Sequence, residues 1–289
     1  MTPANVPLSE SGPAISDEDF LKFKEFFYRR TGISFELTKR YFVDKRLVER
    51  IEATRTGTFS GYFTLLRFQA SGEELQQLTN LMTVNETYFL REEYQFRCLV
   101  ESILPEIVRR KVAKNPIRIW CIPSSTGEEP YSIAMYLLEH WSGIREWDVE
   151  IISSDIDTSV LRRARAGRYS PRSVQHVPTP WLKKYFKGIG EEYQLCDDIR
   201  DAVEFTRVNL SEATEILSYR SFDVVFCRNL LIYFDDLSRQ TAAETFYEAL
   251  NPGGFICLGH SESMSRISSL FKVRKFPEAI VYQKGLETK

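Results

Sequence analysis

Beyond Pro116 the chain settles into one polarity rhythm, short apolar runs alternating with amphipathic segments. The runs "IRIWCIP", "DVEIISSD", "VEFTRVNL", "FDVVFCRN" and "GGFICLGHS" read as strands, and residues 131–140 and 237–250 between some of them carry helical spacing. Near-continuous apolar strands separated by helices bury both faces of a sheet when the strands run parallel and each crossover helix covers one face. The pattern predicts a doubly wound α/β domain over about residues 115–285, with "AIVYQK" pairing as one more strand near the edge. One stretch breaks the rhythm. Residues 168–201, "RYSPRSVQHVPTPWLKKYFKGIGEEYQLCDDIRD", hold three prolines and no clean helical stripe, and are read as an insertion with a small β-hairpin.

Upstream the pattern is helical throughout. Ser16 and Asp19 have the spacing of a helix start, Phe20, Phe23 and Phe27 recur on one face, and Gly32 stops the pattern. Val43, Leu47 and Ile51 make the buried stripe of a second helix. Lys39, Arg40, Lys45, Arg46, Arg50 and Arg55 crowd its remaining surface against only Asp44, Glu49 and Glu52. Further helical stretches at 62–68 and 73–82 complete a small all-α unit, 15–83, joined to the sheet by a mostly helical bridge, 84–114; the residues before Ser16 read as a loose leader.

A formal charge of −2 gives no global attraction to nucleic acid, so any basic contact surface is local. The first twenty residues lack a basic start and an apolar core, and no later apolar run approaches the roughly 20 residues of a membrane span, which predicts a soluble, unexported, cytoplasmic protein. Cys98, Cys121, Cys196, Cys227 and Cys257 lie 23 or more positions apart, and His140, His176 and His260 are scattered, so free thiols are expected and no metal is assigned.

The first strand-to-helix turn of such a sheet floors its ligand site. Here it reads "SSTGEEPYS", with one glycine, Gly127, and two carboxylates, Glu128 and Glu129, where a phosphate site wants bare amides. Ser125 to Glu128 and Thr126 to Glu129 both have capping-box spacing, so the glutamates either cap the helix or face a ligand. Asp155 ends the next strand, 28 positions after Gly127, where such folds hold an acid against a ribose diol, and it too has the alternative of a helix cap. Acids at two successive strand ends suit a ligand with hydroxyls and an amine or sulfonium and without phosphates. S-adenosylmethionine has those features. Around this site fall Asn85, Thr87 and Arg91 in "VNETYFLRE", Asn209 in "RVNL", and Arg228, Asn229 and Tyr233 in "FCRNLLIYF"; Asn85, Thr87 and Asn209 are equally at home as turn residues, Arg91 as a solvated helix charge, Tyr233 as a half-buried aromatic, and His260 in "GHSES" as a structural polar group.

Taken together, "NETYFLRE", "SSTGEEPYSIAM", "SSDIDTSVLRRARAGRY", "VEFTRVNL", "FDVVFCRNLLIYFD" and "LNPGGFICLGHSES" resemble, in order, the motifs of the chemotaxis receptor methyltransferases, the CheR family, and "KRYFVDKRLVERI" resembles that family's N-terminal domain. The resemblance spans about residues 15–285 and implies a Rossmann-like methyltransferase fold with a small all-α N-terminal domain and a small β insertion. It implies an S-adenosylmethionine-dependent enzyme that esterifies glutamate side chains on the cytoplasmic helical bundle of chemoreceptors and releases S-adenosylhomocysteine. It further places Asn85, Thr87, Arg91, Glu128, Glu129, Asp155, Asn209, Leu210, Arg228 and Asn229 at the cofactor, and Arg91, Arg228 and Tyr233 at the methyl-transfer end. The acidic receptor bundle gives the Lys39, Arg40, Lys45, Arg46, Arg50 and Arg55 helix a partner, and reversing Arg46 and Arg50 is expected to slow methylation while sparing cofactor binding.

Two departures stand out. Ile122, Pro123 and Ser124 occupy positions where the family usually has small residues, and Pro123 removes an amide and fixes φ, which reshapes the pocket floor. Many relatives grip a receptor's C-terminal pentapeptide with the β insertion, for which "KGIGEEYQL" is short, so no tail binding is expected. The missing glycine fingerprint disfavours a nicotinamide dehydrogenase, and "RNLLIY" in place of an Asn/Asp-Pro-Pro-aromatic motif disfavours a nucleic-acid methylase. The rival from another class is a methyltransferase-fold adaptor or sensor that binds cofactor or product without turnover; retention of Asn85, Arg91, Asp155 and Tyr233 argues against it.

Overall fold

The computed structural model describes residues 14–112 and 115–286; the leader expected before Ser16 falls on residues 1–13, outside the described residues, apart from its last two positions. Helices α1 (Asp17–Thr31), α2 (Arg40–Thr54), α3 (Phe59–Phe68) and α4 (Glu73–Met82) come first. The predicted start of α1 is present: the Ser16 hydroxyl accepts from the Asp19 amide while the Asp19 carboxylate accepts from the Ser16 amide. Gly32 ends it at φ 72°, and a side chain there would also collide with Ser211 of the sheet domain.

Phe20, Phe23 and Phe27 meet Val43, Leu47, Ile51, Tyr62 and Leu78 in an aromatic-rich core, each buried phenyl contributing about 1.5–3 kcal/mol. One carboxylate is buried with them. Glu74, 5% exposed, accepts two hydrogen bonds from Arg50 at 2.8 and 2.6 Å and one from the Tyr62 hydroxyl at 2.7 Å. Arg50 is therefore an internal fastener and not part of a solvated face. Arg46 donates to the Leu81 carbonyl with its guanidinium 3.4 Å from the Phe42 ring centre, and Arg40 reaches Asp44 and Asp17. Of the six cations expected on the surface, Lys39, Lys45 and Arg55 remain exposed.

The bridge opens as a loop, 84–92, and continues as one helical run, α5 (Glu93–Cys98), a π turn (Leu99–Ile103) and α6 (Leu104–Val108), whose Phe96, Leu99 and Ile103 enter the sheet's core. The sheet then builds from β1 (Ile117–Cys121), α7 (Glu128–His140), β2 (Val149–Asp155) and α8 (Thr158–Ala166). The insertion follows as β3 (Arg168–Tyr169), α9 (Pro171–Val174), α10 (Thr179–Tyr185), β4 (Phe186–Ile189), β5 (Glu192–Leu195) and α11 (Asp197–Asp201). The chain returns through β6 (Val203–Arg207), α12 (Ala213–Ile216), β7 (Phe222–Cys227), α13 (Asp236–Ala249), β8 (Leu250–Leu258), β9 (Phe271–Lys275) and β10 (Ile280–Lys284).

Seven strands form one sheet in the order β6-β2-β1-β7-β8-β10-β9, parallel through β8, with β10 antiparallel to both its neighbours. All six apolar runs are strands of it. "AIVYQK" pairs next to the edge, as expected; the edge itself is β9, "FKVRK", which the polarity pattern hides because most of its side chains face solvent. The insertion is a small antiparallel sheet ordered β3-β5-β4, with the expected hairpin between β4 and β5 turning at Gly190, φ 61°. It also contains helices, which the sequence pattern did not reveal; Trp181 and Tyr185 of α10 are buried one turn apart.

Along β1, Ile119 and Cys121 face the α7 side, whereas Trp120 faces α13 and packs on Phe222 and Phe246. The chain leaves β1 toward β2 and β6, then comes back to β7 on the other side of β1. That reversal opens a crevice beyond the carboxyl ends of β1 and β7.

Candidate functional site

The crevice holds two adjoining clefts. The larger, of about 460 Å³, is lined by Asp155, Ile156, Asn209 and Leu210 from the sheet and by Phe35, Lys39 and Phe42 from the helical domain. The smaller, of about 140 Å³, is lined by Thr87, Arg91, Ser124, Ser125, Glu129 and Arg228. Val84, Asn85, Pro123, Asn229, Ile232 and Tyr233 border both. Nine of the ten expected cofactor residues thus converge; Glu128 lines neither cleft.

The floor begins at the β1–α7 turn. Gly127 takes φ 93°, and a Cβ there would stand 3.0 Å from both Ala164 and the Tyr131 ring, so glycine lets α7 start hard against α8. Three amides of the turn are already committed: Ser124 N–H donates to the Ser154 carbonyl, Ser125 N–H to Asp155 and Gly127 N–H to the Ser124 carbonyl. Pro123, joined to Ile122 by a cis peptide bond, offers no N–H.

Neither glutamate of the turn caps the helix, since α7 has no side-chain cap. Glu128, 3% exposed, points away from the clefts; one carboxylate oxygen accepts from Ser173 Oγ and the other from Thr126 Oγ1, both at 2.6 Å. Glu129 points inward and pairs with Arg228 Nη1 at 2.7 Å, and burial raises its pKa while the Arg228 charge opposes the rise. Asp155 accepts from the Ser125 amide at 2.8 Å and the Asp157 amide at 2.9 Å, leaving lone pairs for ligand hydroxyls. Its pKa is pushed up to about 7 because burial penalises the charge more than the two amides relieve it. The cap of α8 is Asp157, which also accepts from Thr83 at 2.7 Å and Asn85 at 3.0 Å and so ties the bridge to the sheet.

Arg228 lines the smaller cleft, but its charge is already paired. It is 5% exposed, its Nη atoms are taken by Glu129, by Glu92 at 3.2 Å and by the Arg91 carbonyl at 2.7 Å, and so its fork is not free to steer a substrate carboxylate. Only its Nε, with Ser124 Oγ nearby in the smaller cleft's lining, is buried without a partner. Arg91 by contrast donates to the Glu86 carbonyl at 3.0 Å and has no carboxylate partner among the described residues. The Tyr233 hydroxyl has no hydrogen bond there either, and burial raises its pKa. Asn209 lines the larger cleft with its side chain spent on the Arg30 carbonyl at 2.7 Å and the Ser211 amide at 3.0 Å, so it offers a wall more than a donor. Asn229, at φ 58°, is held by Glu262, which accepts from the amides of Asn229, Leu231 and Gly259 at 2.8–2.9 Å. Sequence reasoning missed Glu262; its signal was an acid just past a strand end, in the "GHSES" motif whose His260 proves exposed and outside both clefts.

Two largely enclosed carboxylates, Asp155 and Glu129, with an unpartnered arginine edge and a serine hydroxyl, fit a hydroxyl-bearing ligand with a cationic centre and a carboxylate better than a phosphate ester. Residues 85–280 match the family described as CheR methyltransferase, SAM binding domain, and residues 18–83 its all-alpha domain. A Chemotaxis protein methyltransferase 2 of Vibrio cholerae is 56% identical over 93% of this chain and 94% of its own length. The protein of that name from Pseudomonas aeruginosa is 37% identical over 88% of this chain and 90% of its own length, and the Chemotaxis protein methyltransferase of Escherichia coli 34% over 90% of each. The cofactor that the clefts fit is S-adenosylmethionine, and the chain belongs to the CheR methyltransferase family.

Proposed function

We propose that the protein transfers a methyl group from S-adenosylmethionine to glutamate side-chain carboxylates on the cytoplasmic helices of chemoreceptors, giving glutamate methyl esters and S-adenosylhomocysteine. The observation that carries this reading is the pairing of Arg91 and Tyr233, one cation and one hydroxyl without side-chain partners, at the smaller cleft above the buried Glu129–Arg228 pair. Bound there, the cofactor supplies a methyl group on a positively charged sulfur.

A glutamate carboxylate, whose ordinary pKa is about 4.3, is ionised at neutral pH and needs no general base. Its oxygen would take the methyl carbon that the bound cofactor supplies, with no proton to move, so the chain's residues need only orient the carboxylate and balance its charge. Arg91 orients the carboxylate through one N–H and Tyr233 donates to its second oxygen, both from the lining of the smaller cleft. Asp155 and Glu129 hold cofactor hydroxyls and amine, and Arg228 Nε with Ser124 Oγ its carboxylate, with Asn85, Thr87, Asn209, Leu210 and Asn229 completing the walls.

Exposed Lys39, Lys45 and Arg55 face the acidic receptor bundle, Lys39 from the rim of the larger cleft itself. The two-residue turn of the β4–β5 hairpin, Gly190 and Glu191, adds no surface for a receptor tail, so methylation is independent of a C-terminal pentapeptide. None of the helices among the described residues is long and apolar enough to cross a membrane, and the protein works in the cytoplasm, meeting the membrane through the receptor. The test is incubation with radiolabelled cofactor and receptor-containing membranes: label released as methanol by mild base supports the reading, and label absent from receptors, or stable to base, overturns it.

A further inference from the structure

Glu128 touches neither cleft, yet it sits where three pieces of the site meet. One oxygen accepts from Thr126 Oγ1 in the cofactor turn; the other accepts from Ser173 Oγ in α9 of the insertion. The Ser173 carbonyl in turn accepts from the Phe89 amide at 2.9 Å, two residues before Arg91. The next amide, Leu90 N–H, donates to Ser132 Oγ at 2.9 Å, and that hydroxyl donates to the Glu128 carbonyl at 2.6 Å. Side chain and backbone of Glu128 thus each hold one of the two residues that precede Arg91.

The segment needs holding. Leu90 and Glu92 have φ of 61° and 55°, so Arg91 stands between two non-glycine residues in the left-handed region, a backbone that survives only where its surroundings over-determine it. Further ties run from the insertion to the same two loops: the Phe89 ring packs edge-on against Tyr169 and Phe186, and the Tyr169 hydroxyl donates to the Thr126 carbonyl at 2.9 Å.

We propose that Glu128 is a positioning residue, the pin by which the insertion fixes both the Arg91 loop and the cofactor turn, so that the insertion is part of the catalytic frame and not an appended module. The proposal rests on the reading of Arg91 as the carboxylate-orienting group. A carboxylate suits the position because it alone accepts from two hydroxyls at once with no donor of its own to satisfy; glutamine keeps the shape, and hydroxyls can reorient to accept from its amide.

The experiment compares wild type, Glu128→Ala, Glu128→Gln and Ser173→Ala in the full chain by three readouts. These are methyl transfer to receptor membranes, calorimetric S-adenosylhomocysteine binding, and hydrogen exchange of peptides covering residues 84–92. Displacement of an orienting group by about 1 Å costs on the order of 100-fold. Glu128→Ala is therefore expected to lower kcat by ~10- to 100-fold with little change in receptor KM and to speed exchange at Phe89 and Leu90. Ser173→Ala, which deletes one hydroxyl and leaves its carbonyl, should repeat the effect more weakly, and Glu128→Gln should recover most of kcat. A folded Glu128→Ala or Ser173→Ala protein with wild-type exchange at 84–92 and wild-type kcat overturns the pin. If Glu128→Ala does not fold, Ser173→Ala decides. If the wild type methylates no receptor, the proposed function fails on its own, and hydrogen exchange with S-adenosylhomocysteine binding still decides whether Glu128 holds the loop.

Discussion

Arg228 donates from Nη2 to the Arg91 carbonyl at 2.7 Å, and that single bond divides the two arginines by role. Arg228 lies under the loop with its charge spent on Glu129 and Glu92; Arg91 rides on top with its charge free. Replacing Arg228 by alanine leaves the carboxylates of Glu129 and Glu92, 13 and 14% exposed, without their cation, a loss of up to about 3 kcal/mol, whereas Arg91→Ala removes only a guanidinium with no carboxylate partner. Thermal melts should show a large drop for Arg228→Ala and little for Arg91→Ala, while methyl transfer by Arg91→Ala falls on the order of 100-fold. Equal melting temperatures for the two variants would contradict the assignment.

Arg50 and Lys45 sit on the same helix with opposite prospects. Arg50→Glu would set a second carboxylate against buried Glu74 and should unfold the helical domain, at a cost of about 3–5 kcal/mol or more, so slowed methylation in that variant says nothing about receptor contact. The informative reversal is Lys45→Glu with Arg55→Glu, both exposed. It should leave the melting temperature and S-adenosylhomocysteine affinity unchanged and raise receptor KM, with the difference shrinking as salt screens the charges. An unaltered KM at low salt would remove α2 from the receptor interface.

Asp155 makes cofactor affinity depend on pH. Its folded pKa, about 7, is raised above the ordinary 3.8, so the folded state binds the extra proton more tightly than the unfolded chain between those values. This group's contribution to stability without ligand therefore falls as pH rises from about 4 to about 7. Ligand hydroxyls bond best to the ionised form, so S-adenosylhomocysteine should bind more weakly below pH 7, approaching tenfold per pH unit once the protonated form dominates. Calorimetry at pH 6, 7 and 8 measures this. Asp155→Asn should bind weakly at all three, and a pH dependence that survives the substitution would assign it to another group.

The insertion's role is separable from tail recognition. Receptors with and without a C-terminal pentapeptide should be methylated at the same rate, and a free pentapeptide should show no calorimetric binding. Micromolar binding of that peptide would show that the short β4–β5 hairpin suffices as a docking edge.

Much of the fold is legible because the signals are local. The strands of the parallel sheet announce themselves as apolar runs since both their faces are covered, and α1 declares its ends through Ser16, Asp19 and Gly32. Where one face meets water the signal fades: β9 alternates lysine and arginine with its apolar residues and passes for a loop, and the insertion's helices, α10 of seven residues among them, are too short for a periodic stripe. The candidate site was legible as an address, the end of β1 with its acids, and less so as an assignment of roles.

The sequence by itself determined where the clefts lie and which residue types surround them, because strand ends, glycine turns and ordered motifs are written in neighbouring positions. Only the tertiary structure decided which way each charge points. Glu128 and Glu129 are adjacent in sequence, but successive residues of a helix project about 100° apart, and the packing of α7 against α8 at Gly127 turns one toward Ser173 and the other toward Arg228. Arg50 is likewise a surface cation by pattern and a core fastener in fact, since its partner Glu74 lies 24 residues away. Charge pairing at that separation depends on how helices pack, and no local pattern records it.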